Sequence, residues 1–485
     1  MESIWTKTCS IPHREPLQKD LETEVAVIGA GMAGILIAYL LQKAGKNVIV
    51  LDAYRIASGQ TKNTTAKITS QHDLIYANLI GTFGTEKARQ YAMANETAIE
   101  MYRNLIKNEN IDCDFEETSA YIYAKDKNKL QTEVDAAVSL GLPASRTEQI
   151  PLPFENVYAV RFNNQAQFHP LKFIKHLSDN LEIYEKTPVL SVEEHLLKTP
   201  KATVTAEHIV FATHYPFINF PGLYFMRLHQ ERSYVLALEN AVPSDGMYLG
   251  NGESSYSFRK YKNYLLFGGE GHRTGENKNG GRYDNLRNKA KELFPNAKEI
   301  AHWSAQDCIP ADGIPYIGQY ASAKPYWYVA TGFQKWGMTS SMVSAMIIRD
   351  MICGKKNPYA DVFDPQRFSM DAVEGIACEM KEATKTYIKR FFKLPEETAS
   401  ELPAGHGGII EINGEKTGVY KDENGEIHTV DIRCPHLGCQ LEWNPDEKSW
   451  DCPCHGSRFD FRGNLINNPA QINITIKKNE KSPRP

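Results

Sequence analysis

Four of the nine cysteines of this chain fall within twenty-one residues, interleaved with two histidines: Cys434-Pro435-His436-Leu437-Gly438-Cys439 and Cys452-Pro453-Cys454-His455-Gly456-Ser457. A Cys-x-His pair and a Cys-x-x-His pair, separated by fifteen residues, are what a [2Fe–2S] centre with two histidine ligands requires. Thiolates hold one iron and imidazoles the other, and the neutral nitrogens raise the reduction potential above that of an all-cysteine cluster. One-electron chemistry is the first expectation. A structural zinc site also takes two cysteines and two histidines, but it usually groups like ligands and leaves no cysteine over. Here six side chains compete for four places, and the spacing alone does not choose among them.

Both segments resemble the two boxes of a Rieske domain of the respiratory-complex type, over roughly the last 80 residues, the size of a small independent domain. The resemblance implies that Cys434, His436, Cys452 and His455 hold the cluster, and that Cys439 and Cys454 form a disulfide tying the two loops together. It also implies that the Ser457 hydroxyl donates to a bridging sulfur. Two residues on, high-potential members of that family carry a tyrosine that donates to a ligand thiolate, whereas this chain has Phe459. One donor fewer stabilises the reduced cluster less, so the expected potential lies below the top of the Rieske range, about +300 mV. Phe459 also reads simply as a packing residue.

Near the N-terminus, Val25-Ala26-Val27-Ile28 reads as a buried parallel strand running into Gly29-Ala30-Gly31-Met32-Ala33-Gly34 and an apolar helix from Ile35 to Ala44. A second strand, Val48 to Leu51, ends at Asp52, eighteen residues past the last glycine. Glycines permit the tight turn and close approach of a pyrophosphate. The helix N-terminus offers unpaired N–H groups, and Asp52 can bond a ribose hydroxyl. Strand, turn, helix, strand and acid in register indicate a dinucleotide site without separating FAD from NAD.

Three later stretches separate them, by resemblance to the D-amino-acid-oxidase superfamily of flavoproteins, which includes glycine and sarcosine oxidases. Ala57-Ser58-Gly59-Gln60-Thr61 and Asn63-Thr64-Thr65-Ala66-Lys67 are similar to the segment covering the FAD pyrophosphate and approaching the flavin. Ile209-Val210-Phe211-Ala212-Thr213, followed by His214-Tyr215-Pro216, resembles the second flavoprotein strand motif. The strand Trp327 to Ala330, with Gly332-Phe333-Gln334-Lys335-Trp336-Gly337-Met338-Thr339, resembles the closing flavin motif, preceded by the loop Asp312 to Gly318. The resemblance implies FAD, contacted by Gly29 to Gly34, Asp52, Ser58, Thr64, Thr65, Ala66, Lys67, Val189, Ala212, Thr213, Gly332, Phe333 and Lys335 to Thr339. Relatives with covalent flavin use a cysteine shortly before the closing motif. Cys308 lies in that neighbourhood, but Ser304 aligns nearer the attachment position, so the expected FAD is noncovalent.

The flavin itself carries hydride removal, so a catalytic base is optional. Candidates facing it are His72, which reads equally as a hydrogen-bonded core histidine, and Lys335, which either stabilises reduced flavin or forms a surface ion pair. Arg227, His229, Arg232 and Tyr234 sit where relatives place substrate-facing residues. An arginine there, with Arg227 named first, would clamp a substrate carboxylate through paired hydrogen bonds.

The expected architecture is an α/β FAD-binding Rossmann-like domain with an inserted, mostly antiparallel α+β substrate domain, followed by a small all-β Rieske domain. The expected oxidoreductase part is 1–365, with FAD-binding segments at about 20–78, 170–225 and 300–360 and substrate segments at about 79–169 and 226–299. Residues 366–402 read as a helical connector, or as a flexible linker, and 403–480 as the Rieske domain. Leu79, Phe83, Ala88, Tyr91, Ala92 and Ile99 are spaced for one apolar helix face, Ser233 to Leu238 and Tyr264 to Gly268 read as strands, and Asn413-Gly414 and Asn424-Gly425 as hairpin turns.

At 485 residues, 42% hydrophobic and a net charge of −4, the chain gives no electrostatic case for nucleic acid or an anionic membrane surface. No apolar run reaches spanning length and the first residues lack a signal-peptide core, so cytoplasm is the expected location. The implied disulfide runs against that expectation, since cytosolic disulfides are uncommon.

Together these readings predict an enzyme, a FAD-dependent dehydrogenase that oxidises a small amine, amino acid or related molecule. It would pass electrons singly through the cluster to an unidentified electron-transfer partner. An oxidase that uses oxygen has no need of a one-electron relay. Two alternatives remain: an external donor feeds the cluster and then FAD for a reductive or oxygen-activating reaction, or the protein is a non-catalytic redox sensor or electron store.

Overall fold

The computed structural model describes residues 2–155, 157–241, 245–252, 255–367, 402–412 and 414–475, together with residues 376, 377, 381 and 384. All but a few positions of the expected connector, 366–402, lie outside the described residues, as does Asn413 of the first expected hairpin turn.

The run from Val25 to Ile28 is buried on both faces, as a central parallel strand must be. Its strand, Leu21–Ile28, lies between Thr203–Phe211 and Val48–Leu51, parallel to both. The sheet runs Tyr316–Ala321, Lys324–Thr331, Thr203–Phe211, Leu21–Ile28, Val48–Leu51, Glu182–Tyr184. Its first strand in that order is antiparallel to its neighbour, as is the added hairpin Ser191–Glu193 and Leu196–Lys198 on Thr203–Phe211. The two-residue period sends Val25, Val27, Val50 and Val210 into one core, and Ala26, Ile28, Ile49, Ile209 and Phe211 into another. Helices Met32–Lys43 and Gly337–Ile352 pack on each other over the first of these cores.

A second sheet of nine strands, eight of them ordered Lys298–Pro310, Leu228–Glu239, Tyr264–Arg273, Ser257–Tyr261, Met247–Gly250, Glu116–Ala124, Tyr158–Gln167, Lys67–Ile68 and the ninth, Ala144–Thr147, also paired with Tyr158–Gln167, is antiparallel except where Met247–Gly250 meets Glu116–Ala124. The expected strands around Val235 and Phe267 pair as neighbours, Val235 opposite Gly268 and Leu236 opposite Phe267. The sheet also takes in Lys67–Ile68 and all of Lys298–Pro310, although 67–68 and 300–310 are expected in the FAD-binding part. The reason is the pairing of Lys298–Pro310 with Leu228–Glu239, which runs from Leu228 opposite Pro310 to Glu239 opposite Lys298. Helix Tyr76–Asn108 buries the expected face, including Leu79, Ala88, Tyr91, Ala92 and Ile99, and kinks at Gly84.

The C-terminal part is all-β. Hairpins joined at Gly414 and Gly425, both with positive φ, pair Gly407–Ile412 with Glu415–Lys421 and the latter with Ile427–Asp431. A four-stranded sheet follows from Glu442 to Asn467. Its core is Val430, Leu441, Trp450 and Phe459. Among the described residues, no helix is long and apolar enough to cross a membrane.

Candidate functional site

The chain folds back on itself at Gly29, whose φ is +107° and whose missing Cβ would lie 2.5 Å from the Ala212 carbonyl oxygen. A Cβ on Gly34 would lie 1.8 Å from the Gly29 oxygen, so strand and helix meet here only because both residues are bare. Asp52 accepts from the Ala30 and Tyr54 amides, each at 2.7 Å. Burial pushes its carboxyl pKa up, against those two hydrogen bonds. The following loop closes over the turn: Ala57 N–H donates to Ala30 O at 2.9 Å, and Met32 N–H donates to Thr61 Oγ1 at 3.0 Å. Ser58 and Thr64 hydroxyls brace that loop, accepting from the Arg55 and Ala66 amides. The Trp5 indole donates to Thr64 O at 2.7 Å. Ala212 N–H bonds Ile28 O, and Thr213 Oγ1 donates to Tyr215 O. Val189 is buried against the same sheet's second core. Gly31, at the start of helix Met32–Lys43, has no side chain to cap it, and apart from the Met32 N–H held by Thr61 the first turn is left for an anion. This bare, uncapped cradle fits FAD.

At the other end of the cleft, Gly332 has φ +74°, Phe333 packs on the main core, and Gly337–Ile352 starts without a side-chain cap behind Trp336. Tyr102 OH donates to Met338 O. His72 joins this segment to residues 67–72. Its Nδ1 meets Tyr91 OH at 2.6 Å, its Nε2 meets Thr69 O and Thr339 Oγ1 at 2.8 and 3.0 Å, and its ring stacks on Trp336. Burial pushes its pKa down to about 3. Both ring nitrogens are engaged within the protein, the environment of a hydrogen-bonded core histidine.

Lys335 pairs with Asp307 at 3.2 Å and Glu231 at 3.3 Å, yet 40% of its side chain remains accessible. Desolvation opposes its charge, but Asp307 and Glu231 hold its pKa above the ordinary lysine value. The ion-pair reading therefore describes it better than a lone charge beside flavin. Lys67 donates to Tyr248 O at 3.0 Å and Ser257 Oγ at 2.6 Å. Burial, and then the charge of Arg259, bring its pKa down to about 7. Arg259 went unnoticed in the sequence because nothing marks a strand arginine as buried. It donates to Gln167, Thr65 O and Phe168 O.

Two expected substrate-facing arginines point elsewhere. Arg227 donates to Pro365 O and Gly222 O and lies against the rings of Tyr224 and Tyr316, so both of its terminal nitrogens are engaged by the fold. Arg232 is turned to the C-terminal part, where Glu447 takes it at 2.5 Å. Ser304, the residue aligned with covalent attachment, bonds the same carboxylate and Arg232. Tyr234 OH meets His272 Nε2 at 3.0 Å. His229 lies 3.7 Å from Glu231.

The second centre lies in the loops Cys434–Cys439 and Cys452–Ser457. Each loop is closed by backbone bonds, Gly438 N–H to Cys434 O and Gly456 N–H to Cys452 O. The Cys439–Cys454 disulfide is present. Cys434 and Cys452 are free thiols, 2% and 0% exposed, within hydrogen-bonding distance of each other. The His436 and His455 rings lie 4.9 Å apart, nearly perpendicular. His436 Nδ1 is buried with no hydrogen-bond partner. A desolvated nitrogen left bare is what an iron ligand needs, and the two buried thiols of the same pair of loops supply the sulfur donors, so these residues fit the cluster. Ser457 Oγ accepts from Ala470 N–H at 3.0 Å and reaches Cys434. Phe459 is fully buried in the small core.

The parts that carry the two centres meet across a polar seam. Gln230 donates to His455 O and Gln306 to Gly456 O, each at 2.7 Å. Asn277 donates to Asn444 and Asp446, and Asn468 to Thr213 O and Tyr215 O. A Cβ on Gly275 would stand 2.7 Å from Pro453, so the backbones fit closely.

This is a flavin and iron–sulfur oxidoreductase. The sequence profile of the FAD dependent oxidoreductase family (DAO) matches residues 24–351, and the chain belongs to that family. The profile of the Rieske [2Fe-2S] domain matches residues 393–478. The chain is 36% identical over 488 residues, covering 97% of this chain and 96% of the relative, to the Rieske 2Fe-2S iron-sulfur protein YhfW of Bacillus subtilis (strain 168). It is 34% identical over 88 residues to a cytochrome b6-f complex iron-sulfur subunit of Synechococcus elongatus, covering 18% of this chain and 49% of that subunit. Glycine oxidase from Geobacillus kaustophilus shares the fold with TM-score 0.61 at 18% identity, over 72% of this chain and 99% of that one. L-proline dehydrogenase from P. horikoshii does so with the same score and identity, over 72% and 98%.

Proposed function

We propose that the protein is a dehydrogenase that oxidises a small amine, amino acid or related molecule and delivers the electrons singly to an external acceptor. The seam carries this reading: the iron–sulfur loops are seated on Leu228–Glu239 and Lys298–Pro310, the strands that also bring Glu231 and Asp307 to Lys335. When bound, FAD supplies two-electron hydride chemistry and the cluster one-electron chemistry. The turn at Gly29, Asp52 and the segment 58–67 would hold the first, and Cys434, His436, Cys452 and His455 the second. The structural neighbours named for glycine, L-proline and L-amino acids suggest the substrates to screen first.

The test is an anaerobic titration with amines and amino acids and no added reductant, followed by absorbance and EPR. The expected result is flavin bleaching together with the reduced-cluster signal. Bleaching without that signal, or reduction of the cluster only by a low-potential donor, overturns the reading.

A further inference from the structure

The segment between strands Thr203–Phe211 and Leu228–Glu239 belongs to the flavoprotein part, yet it covers the histidine side of the cluster loops. Asn219 Oδ1 lies 2.7 Å from His436 Nε2. The Phe225 ring meets His436 edge-on at 6.4 Å and His455 at 5.9 Å. Gln230 holds the His455 carbonyl. Gly456, at φ +80°, leaves the room this needs, since a Cβ there would stand 2.6 Å from Gln230. His436 Nδ1 is the buried, unpartnered nitrogen. With Nδ1 given to iron, Nε2 carries the proton and donates to Asn219.

We propose that Asn219 is a positioning residue for the iron–sulfur centre: by accepting the Nε2–H of His436 it lowers the reduction potential, so the flavoprotein part sets the potential of the cluster docked on it. An acceptor on the distal nitrogen orients the ring and raises its basicity. A more basic ligand stabilises the oxidised iron over the reduced. The Phe225 ring beside both imidazoles makes their surroundings less polar, which favours such a bond. The inference rests on His436 as a ligand and on neither the substrate nor the direction of electron flow.

The test is a chemical redox titration of the full-length holoprotein followed by EPR, which needs no substrate and so stands if the substrate reading fails. Asn219→Leu is expected to favour the reduced cluster about tenfold, an upward shift of about 59 mV for a one-electron couple. Asn219→Asp, nearly isosteric and a stronger acceptor, is expected to shift the midpoint downward, with altered nitrogen hyperfine couplings in pulsed EPR. Unchanged midpoints in both variants overturn the proposal, as do shifts of the same sign, which would report loosened docking. Loss of iron from both variants also overturns it, leaving Asn219 a purely structural role.

Discussion

The FAD cleft draws on segments scattered from Gly29 to Thr339 and joined by backbone hydrogen bonds such as Ala57 to Ala30 and Ala212 to Ile28. The iron–sulfur loops lie within a short stretch and are joined by a disulfide. The cleft keeps accessible charge, with Lys335 still 40% exposed, whereas the cluster loops spend their polar groups on the seam. The first arrangement suits a site that exchanges small molecules, and the second one that holds a fixed geometry. At the seam, Glu447 is 2% exposed and takes Arg232 from one side and Arg458 from the other, and Arg458 also takes Asp451.

The sharpest way to break this contrast is Cys452→Ser. The expected outcome is complete loss of iron with flavin retained, measured as iron and FAD per chain, because the two sites share no ligand. Full iron and an unchanged EPR signal would show that the ligand set is wrong.

Next in size is Glu447→Ala, which takes the carboxylate from buried Arg232 and leaves Arg458 with Asp451 alone. Breaking such a pair costs about 3–5 kcal/mol. The expected readout is a lower denaturant midpoint for the C-terminal part, followed by Trp450 and Trp443 fluorescence. An unchanged midpoint would mean that the seam contributes no stability. Acid sharpens the same point. Desolvation opposes ionisation of Glu447, but Arg232 and Arg458 hold its pKa at about 2. A depressed carboxyl contributes stability above its unfolded pKa and loses it as pH falls through the folded value. Acid titration between about 4.5 and 2 should therefore destabilise the wild type more than Glu447→Gln. Equal acid profiles would contradict the pairing.

The smallest expected effect is Phe459→Tyr, which offers a hydroxyl toward a ligand thiolate from within the small core. The midpoint potential should rise by less than a tenfold change in the reduction equilibrium, under about 59 mV. If redox titration shows no rise, Phe459 is a packing residue alone.

The cluster loops were legible because their ligands are near neighbours in the chain and only cysteine and histidine have the right atoms. Gly29 and Gly34 were legible because backbone contact excludes every other residue. Arg227 and Arg232 misled because a strand arginine looks alike whether it faces substrate, a carbonyl or another domain. Arg232 finds its partner more than two hundred positions away, at Glu447. His72 could be read either way until both of its nitrogens were seen to be engaged.

From the sequence alone follow the two cofactors, the Cys439–Cys454 pairing by family likeness, and the strand–turn–helix that receives a dinucleotide. These depend on local spacing and on residue types with no substitute. The tertiary structure alone decided that the imidazoles face Phe225 and Asn219, and that the seam is closed by Glu447 between two arginines. The physical reason is that side chains on two separately cored parts acquire partners only when their surfaces meet, and no periodicity along either segment records that meeting.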